Sequence, residues 1–186
     1  MGELPKRTTK NEERMEMLAA RLARIRVPLG FLCAGAVLYL ARPTPRSLAI
    51  GGALALAGEA VRFWAAGHLE KGMEVTQSGP YRITRHPLYL GSAIIALGAA
   101  VATARVSAMA LVAAYMVATI VSAIRHEEAG MRASFGDEYE AYVQSRATPV
   151  ARAFSLARAM KNKEYKAVAG LAAVAAILAA KAFLNP

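Results

Sequence analysis

Five apolar runs, each closed by a charged or proline-bearing block, constrain the fold of this chain more than anything else in it. They cover residues 27–41, 47–69, 88–104, 107–124 and 166–184. In lipid such runs are stable only as helices, because a helix satisfies every backbone hydrogen bond within itself. The expected fold is therefore all-α: one polytopic membrane helix bundle of about five transmembrane helices. Its abundant Ala and Gly let neighbouring backbones approach closely. The first run is about 22 Å long at the helical rise, so it crosses a bilayer only if tilted or helped by its flanks. Arg42-Pro43-Thr44-Pro45-Arg46 reads as a breaker and a turn. Only Arg105 and Val106 separate the third run from the fourth, which makes those two spans antiparallel neighbours.

The formal net charge of +10 is unevenly placed. Lys and Arg concentrate in residues 1–26, 70–87 and 125–166, whereas the intervening turns hold only Arg42, Arg46, Arg105 and Lys181. That asymmetry is the positive-inside pattern; it predicts an inner-membrane protein, of bacterial type, with a cytoplasmic amino terminus. No nucleic-acid motif accompanies the charge, so nucleic acid is excluded as a partner; the bilayer and a lipophilic ligand are expected instead. The lone Cys33 makes no internal disulfide, and no Cys/His cluster has metal-site spacing. Residues 11–26 place Met15, Leu18, Leu22 and Ile25 on one stripe, as an amphipathic helix lying on the membrane. The expected division is an amino-terminal segment 1–26, a core 27–164 and an additional helix 165–186.

Two polar blocks carry the chemistry. The first runs Gly79-Pro80-Tyr81-Arg82-Ile83-Thr84-Arg85-His86-Pro87-Leu88-Tyr89-Leu90-Gly91, at the mouth of the third span. Its prolines stiffen the backbone, its glycines admit a tight turn or a close ligand, and its Tyr rings offer stacking surfaces. The second begins at Glu127-Glu128, just past the fourth span, and continues through Phe135-Gly136 to Tyr139 and Tyr142. A hairpin of spans three and four gathers both blocks at one membrane face, the cytoplasmic one, around a shared pocket. Adjacent glutamates diverge by about 100° on a helix, so they have separate tasks. One suits an ammonium group; the other suits Arg85 or Arg125. Read blandly, the first block is an interfacial Tyr/Arg anchor and the second a solvated acidic turn. Inside the second span, Glu59 and Arg62 share a face and can pair, or Arg62 can face the cavity.

Together the two blocks, Gly-Pro-Tyr-Arg-x-x-Arg-His-Pro-x-Tyr-x-Gly and Glu-Glu-x-x-Met-x-x-x-Phe-Gly-x-Glu-Tyr-x-x-Tyr, closely resemble the isoprenylcysteine carboxyl methyltransferase and phospholipid methyltransferase superfamily. The likeness covers roughly residues 47–150. It implies an integral membrane enzyme using S-adenosylmethionine without a Rossmann domain, and the chain has no Gly-x-Gly-x-x-Gly. By that likeness Val75, Gly79, Tyr81, His86, Pro87, Tyr89, Gly91, Glu127 and Glu128 line the cofactor pocket, Val75 and Gly79 near the adenine and Glu127 at the ammonium. His86, Arg85 and Glu128 are the expected catalytic groups.

Prenylcysteine-type members carry an Arg four residues before the paired Glu, where this chain has Ala123. Arg125 is displaced from it by about 200° around a helix. Arg62 and Arg125 are therefore the candidates for gripping substrate, and acceptors other than a carboxylate stay open: amine, thiol or phenol. Two competing readings are an NADPH-dependent sterol-type reductase, which shares an Arg-His-Pro-x-Tyr-x-Gly block, and a small transporter or scaffold built around Glu59.

Overall fold

A computed structural model describes residues 28–148 and 150–184; the amphipathic helix expected within 11–26 lies outside the described residues. Among them the chain is helical and has no strand. Helix α1 is Pro28–Leu40, α2 Pro45–Ala66, α3 Pro87–Ala102, α4 Val106–Val143, α5 Leu156–Lys161 and α6 Tyr165–Leu184, with a 3-10 turn at Gly79–Arg82.

Helix α2 begins two residues inside the expected breaker. Thr44 Oγ accepts from Ser47 N at 3.1 Å and Ser47 Oγ accepts from Thr44 N at 2.9 Å, a reciprocal cap. Pro45 then occupies the first helical position, where its fixed φ suits the helix and its missing N–H has no partner to lose. Helices α2 and α3 run antiparallel along a seam of small residues. Gly51 faces Gly98 and Ala102, Ala55 faces Gly98, Gly58 faces Gly91 and Ile95, and Arg62 passes Gly91. A Cβ on Gly58 would lie 2.7 Å from Gly91 O, so the backbones touch directly.

Three helices, α2, α4 and α6, are long and apolar enough to cross a membrane. The other two expected spans, α1 and α3, are apolar but shorter. The sixteen residues of α3 rise about 24 Å, against a hydrocarbon core of about 30 Å. Proline at its start and the left-handed Ala104 (φ 50°) after its end fix that length. Helix α1 leans on α4, where Cys33 Sγ sits 4.0 Å from Leu111 O and Gly30 lies against Tyr115. At the bundle end away from the polar blocks, Ala41, Ala102 and Leu178 form a small buried cluster. Nearby, Lys181 Nζ donates to Leu38 O at 2.6 Å, close to the carboxyl end of α1.

Helix α4 does not stop at the apolar boundary. It continues through Arg125, Glu127 and Glu128 to a kink at Gly136 (φ 44°, ψ −119°), a conformation closed to residues with a Cβ. Past the kink, roughly the last two turns carry Tyr139 and Tyr142.

After α4 the chain returns to the end of α2 and straps it. Asn162 Nδ2 donates to Ala66 O and Leu69 O, both at 2.9 Å, and Arg158 Nη1 donates to Gly67 O at 2.6 Å. These donors satisfy the carbonyls that the end of α2 leaves without helical partners. Ion pairs Arg158–Glu70 (2.7 Å) and Arg152–Glu74 (Nη2–Oε2 2.7 Å) hold the following loop, and Phe154 packs on Phe63 and His68.

His68 is buried beneath this strap, with Nδ1 3.1 Å from Ser78 Oγ. Burial lowers its proton affinity, and the charges of Arg158 and Arg152 lower it further. The unfolded chain therefore binds a proton that the folded one refuses. The stability this contributes is present above the free-histidine value of about 6.5 and is lost as pH falls through the lower folded value. Melting temperature in detergent should decline below about pH 6.5 in the wild type. In His68→Gln the decline over that window should be shallower; an unchanged slope would show that another group titrates.

Candidate active site

The two polar blocks meet. Glu128 Oε1 accepts from His86 Nε2 at 3.1 Å and pairs with Arg85 Nη1 at 3.2 Å, while Glu128 Oε2 lies 3.5 Å from Arg132 Nη1. Local geometry on each side prepares this contact. His86 caps the amino end of α3, held out of helical conformation (φ −128°, ψ 56°) by the fully buried Pro87 that follows it. Glu128 stands one turn past the apolar part of α4, and Arg132 one turn beyond that. A second tie runs from Tyr142 Oη to Tyr81 O, at 2.7 Å, joining the last turn of α4 to the 3-10 turn.

Because Glu128 accepts from Nε2, His86 presents Nδ1 on its other edge. That nitrogen is buried and has no hydrogen-bond partner among the described residues. Its ring lies 5.9 Å from that of Tyr89. Tyr81 is buried too, and burial pushes its phenol well above the ordinary range. The negative charges of Glu127 and Glu164 push the same way, while Arg62 opposes them. The phenol thus remains a hydrogen-bond donor at neutral pH.

The other expected residues are distributed as follows. Val75 is buried in the loop after α2, and Gly79 opens the 3-10 turn with φ 57°. Gly79 also borders an open hollow of about 500 Å³ whose other walls are Trp64, His68, Arg82, Ile83 and Arg152; His86, Glu127 and Glu128 do not line it. Gly91 lies against the stem of Arg62. Glu127 is exposed. Arg125 is exposed as well and makes no charge or hydrogen-bond contact among the described residues. Glu128 pairs with Arg85, so of the two arginines weighed for that role Arg125 is not the one used.

Arg62 does not stand open to a ligand. It forks onto Glu164, Nε to Oε1 at 2.7 Å and Nη2 to Oε2 at 3.1 Å, and its Nη1 donates to Ser92 Oγ at 2.6 Å. The expected partner, Glu59, is farther away, with Oε2 3.9 Å from Nε. Glu59 is 8% exposed, and neither of its oxygens has a hydrogen bond among the described residues. The sequence motifs do not single out Glu164, Ser92 or Arg132. Glu164 had one signal: a carboxylate directly before an apolar run is costly to place there without a partner. Arg132 had another, its four-residue spacing from Glu128.

No curated protein and no solved structure matches this chain. Residues 48–138, about half of the chain, match the family model described as phospholipid methyltransferase. That stretch runs from the first turn of α2 past the kink in α4; it contains the first polar block, the Glu127-Glu128 pair and the contact of Arg85 and His86 with Glu128, and ends just before Tyr139 and Tyr142. Residues 48–138 therefore form a membrane methyltransferase domain of the isoprenylcysteine carboxyl methyltransferase and phospholipid methyltransferase superfamily.

Proposed function

We propose that the protein transfers a methyl group from S-adenosylmethionine to a lipophilic acceptor at a site built on the contact of Arg85 and His86 with Glu128. The observation that carries this reading is the free edge of His86. A buried imidazole nitrogen without a partner suits a ligand that brings its own N–H or O–H. The donor has such groups on its amino acid, ribose and adenine. The exposed carboxylate of Glu127 suits its ammonium group. On this reading Tyr81 and Tyr89 offer their rings to the donor, the buried Pro87 and Gly91 shape the wall behind them, and Val75 and Gly79 serve the adenine. Bound there, S-adenosylmethionine supplies a methyl group already activated by the sulfonium.

The protein's task is then alignment and exclusion of water. Glu128 holds Arg85 and His86 in one arrangement, and the Tyr142–Tyr81 tie keeps the 3-10 turn against α4. The clustering of Lys and Arg at this end supports a cytoplasmic entrance for the donor, with the lipid acceptor entering sideways between helices.

Incubating the purified protein with methyl-labelled donor and a total membrane-lipid extract should transfer label to one lipid class. S-adenosylhomocysteine should raise the melting temperature in detergent, and NADPH should not; the opposite pattern would favour a reductase. Glu127→Gln should weaken S-adenosylhomocysteine about tenfold, the equivalent of roughly 1.4 kcal/mol, with helix content unchanged. Unaltered affinity in that variant would remove Glu127 from the donor site.

A further inference from the structure

We propose that Glu164 is a built-in carboxylate that fills the Arg62 fork and thereby bars anionic lipids from the membrane-facing side of the site. Arg62 is suited by chemistry to receive a carboxylate, since its planar guanidinium matches one in two parallel hydrogen bonds. Glu164 already makes both, and it does so 4% exposed. The remaining Nη1 goes to Ser92 Oγ, with Leu88 O at 3.5 Å. Every guanidinium nitrogen is thus engaged within the chain.

Several features hold this pair in place. Gly91 leaves room for the Arg62 stem, since a Cβ there would stand 2.5 Å from Arg62 Cγ. On the other side, Asn162 ties the strap to the end of α2, Lys163 turns the chain through a left-handed conformation (φ 62°), and Glu164 N donates to Ala159 O. Glu59 adds a second carboxylate beside the one guanidinium. A further anion would meet the Glu164 carboxylate in a medium of low dielectric constant, where like charges repel strongly. The pair also borders the site itself: Arg62 Nη1 reaches Leu88 O, at 3.5 Å, in the first turn after the His86 cap. Glu164 comes from outside the segment 48–138, so selectivity would be set by a part of the chain beyond the methyltransferase domain.

The inference rests on the methyltransferase reading for the use of the site, but its test is one of binding alone. The full chain in detergent would be titrated with palmitate and, as its uncharged counterpart, hexadecanol. In the wild type, palmitate should bind no more tightly than hexadecanol. In Glu164→Ala, palmitate should gain about tenfold or more while hexadecanol is unchanged, and adding Arg62→Gln should abolish the gain. Glu164→Gln keeps the side-chain volume and serves if the Ala variant does not fold; a gain of at least about threefold is expected there. Equal palmitate affinity in the wild type and a folded Glu164 variant would overturn the proposal, as would a gain that survives loss of Arg62. S-adenosylhomocysteine binding, followed in the same samples, reports on the methyltransferase reading separately. Its absence from the wild type would sink that reading without touching the palmitate comparison.

Discussion

Replacing Glu128 by alanine is expected to slow methyl transfer on the order of 10- to 150-fold while leaving the helices assembled. One carboxylate faces three cationic or hydrogen-bonding groups, and they do not contribute equally. Arg85 and Arg132 are each close to half exposed, so water and salt screen most of their attraction. The His86 contact is more sheltered, and a hydrogen bond to a charged group contributes about 1.5–3 kcal/mol. Losing it frees the imidazole to rotate, so that Nδ1 no longer points at a fixed place. At a factor of ten per roughly 1.4 kcal/mol, the rate estimate follows. Arg132→Ala, by the same reasoning, should cost less than about threefold. Turnover of labelled donor at saturating acceptor, with circular dichroism as the check on folding, measures both. Wild-type turnover in Glu128→Ala would mean that the junction between the blocks is structural only.

Gly58→Leu should have the largest effect on assembly. The Cβ alone would press on Gly91 O and Ile95 N, both at 2.7 Å, and neither can yield, because both belong to helix backbone. Overpacking of a tight contact ordinarily costs about 1–3 kcal/mol, and here α2 and α3 would have to separate along much of their length, so the cost lies at or above the top of that range. The variant should come out of detergent aggregated or with a melting temperature many degrees lower. Gly52, on the same helix but with nothing within 4 Å of a built Cβ, is the control: Gly52→Ala should be harmless. If Gly58→Leu melts like the wild type, the seam is looser than drawn.

These two variants probe features of different legibility. The helices themselves could be read directly, because a long apolar run in lipid has no other way to satisfy its backbone. The start of α2 was nearly readable from Thr44, Pro45 and Ser47, since a cap is a local device; only the register within Arg42–Arg46 was missed. Glu128 could be singled out as costly at a membrane boundary, but its partner could not be chosen from the sequence. Arg85 and Arg125 were equal candidates until α3 and α4 were packed, and packing left Arg125 exposed.

Arg62 is the clearest case. Spacing on α2 pointed to Glu59 three residues away, and that pair exists, at 3.9 Å. The tighter partner, Glu164, is 102 residues further along the chain and closes at 2.7 Å. No periodicity encodes such a contact. It depends on the strap finding the open carbonyls at the end of α2, which is a property of assembled backbone rather than of any local pattern.

The amino-acid order alone determined that this chain becomes a bundle of apolar helices with its reactive groups collected at one end, since burial of backbone in lipid permits little else. It also determined which side chains are dear enough to need a partner. Tertiary packing decided the pairings: His86 and Arg85 with Glu128, Tyr142 with the turn at Tyr81, and Arg62 with Glu164 instead of an open ligand site. The physical reason is reach. Backbone hydrogen bonding and helical period act over a few residues, whereas a charge takes whichever counter-charge the fold brings within about 3 Å at the right angle.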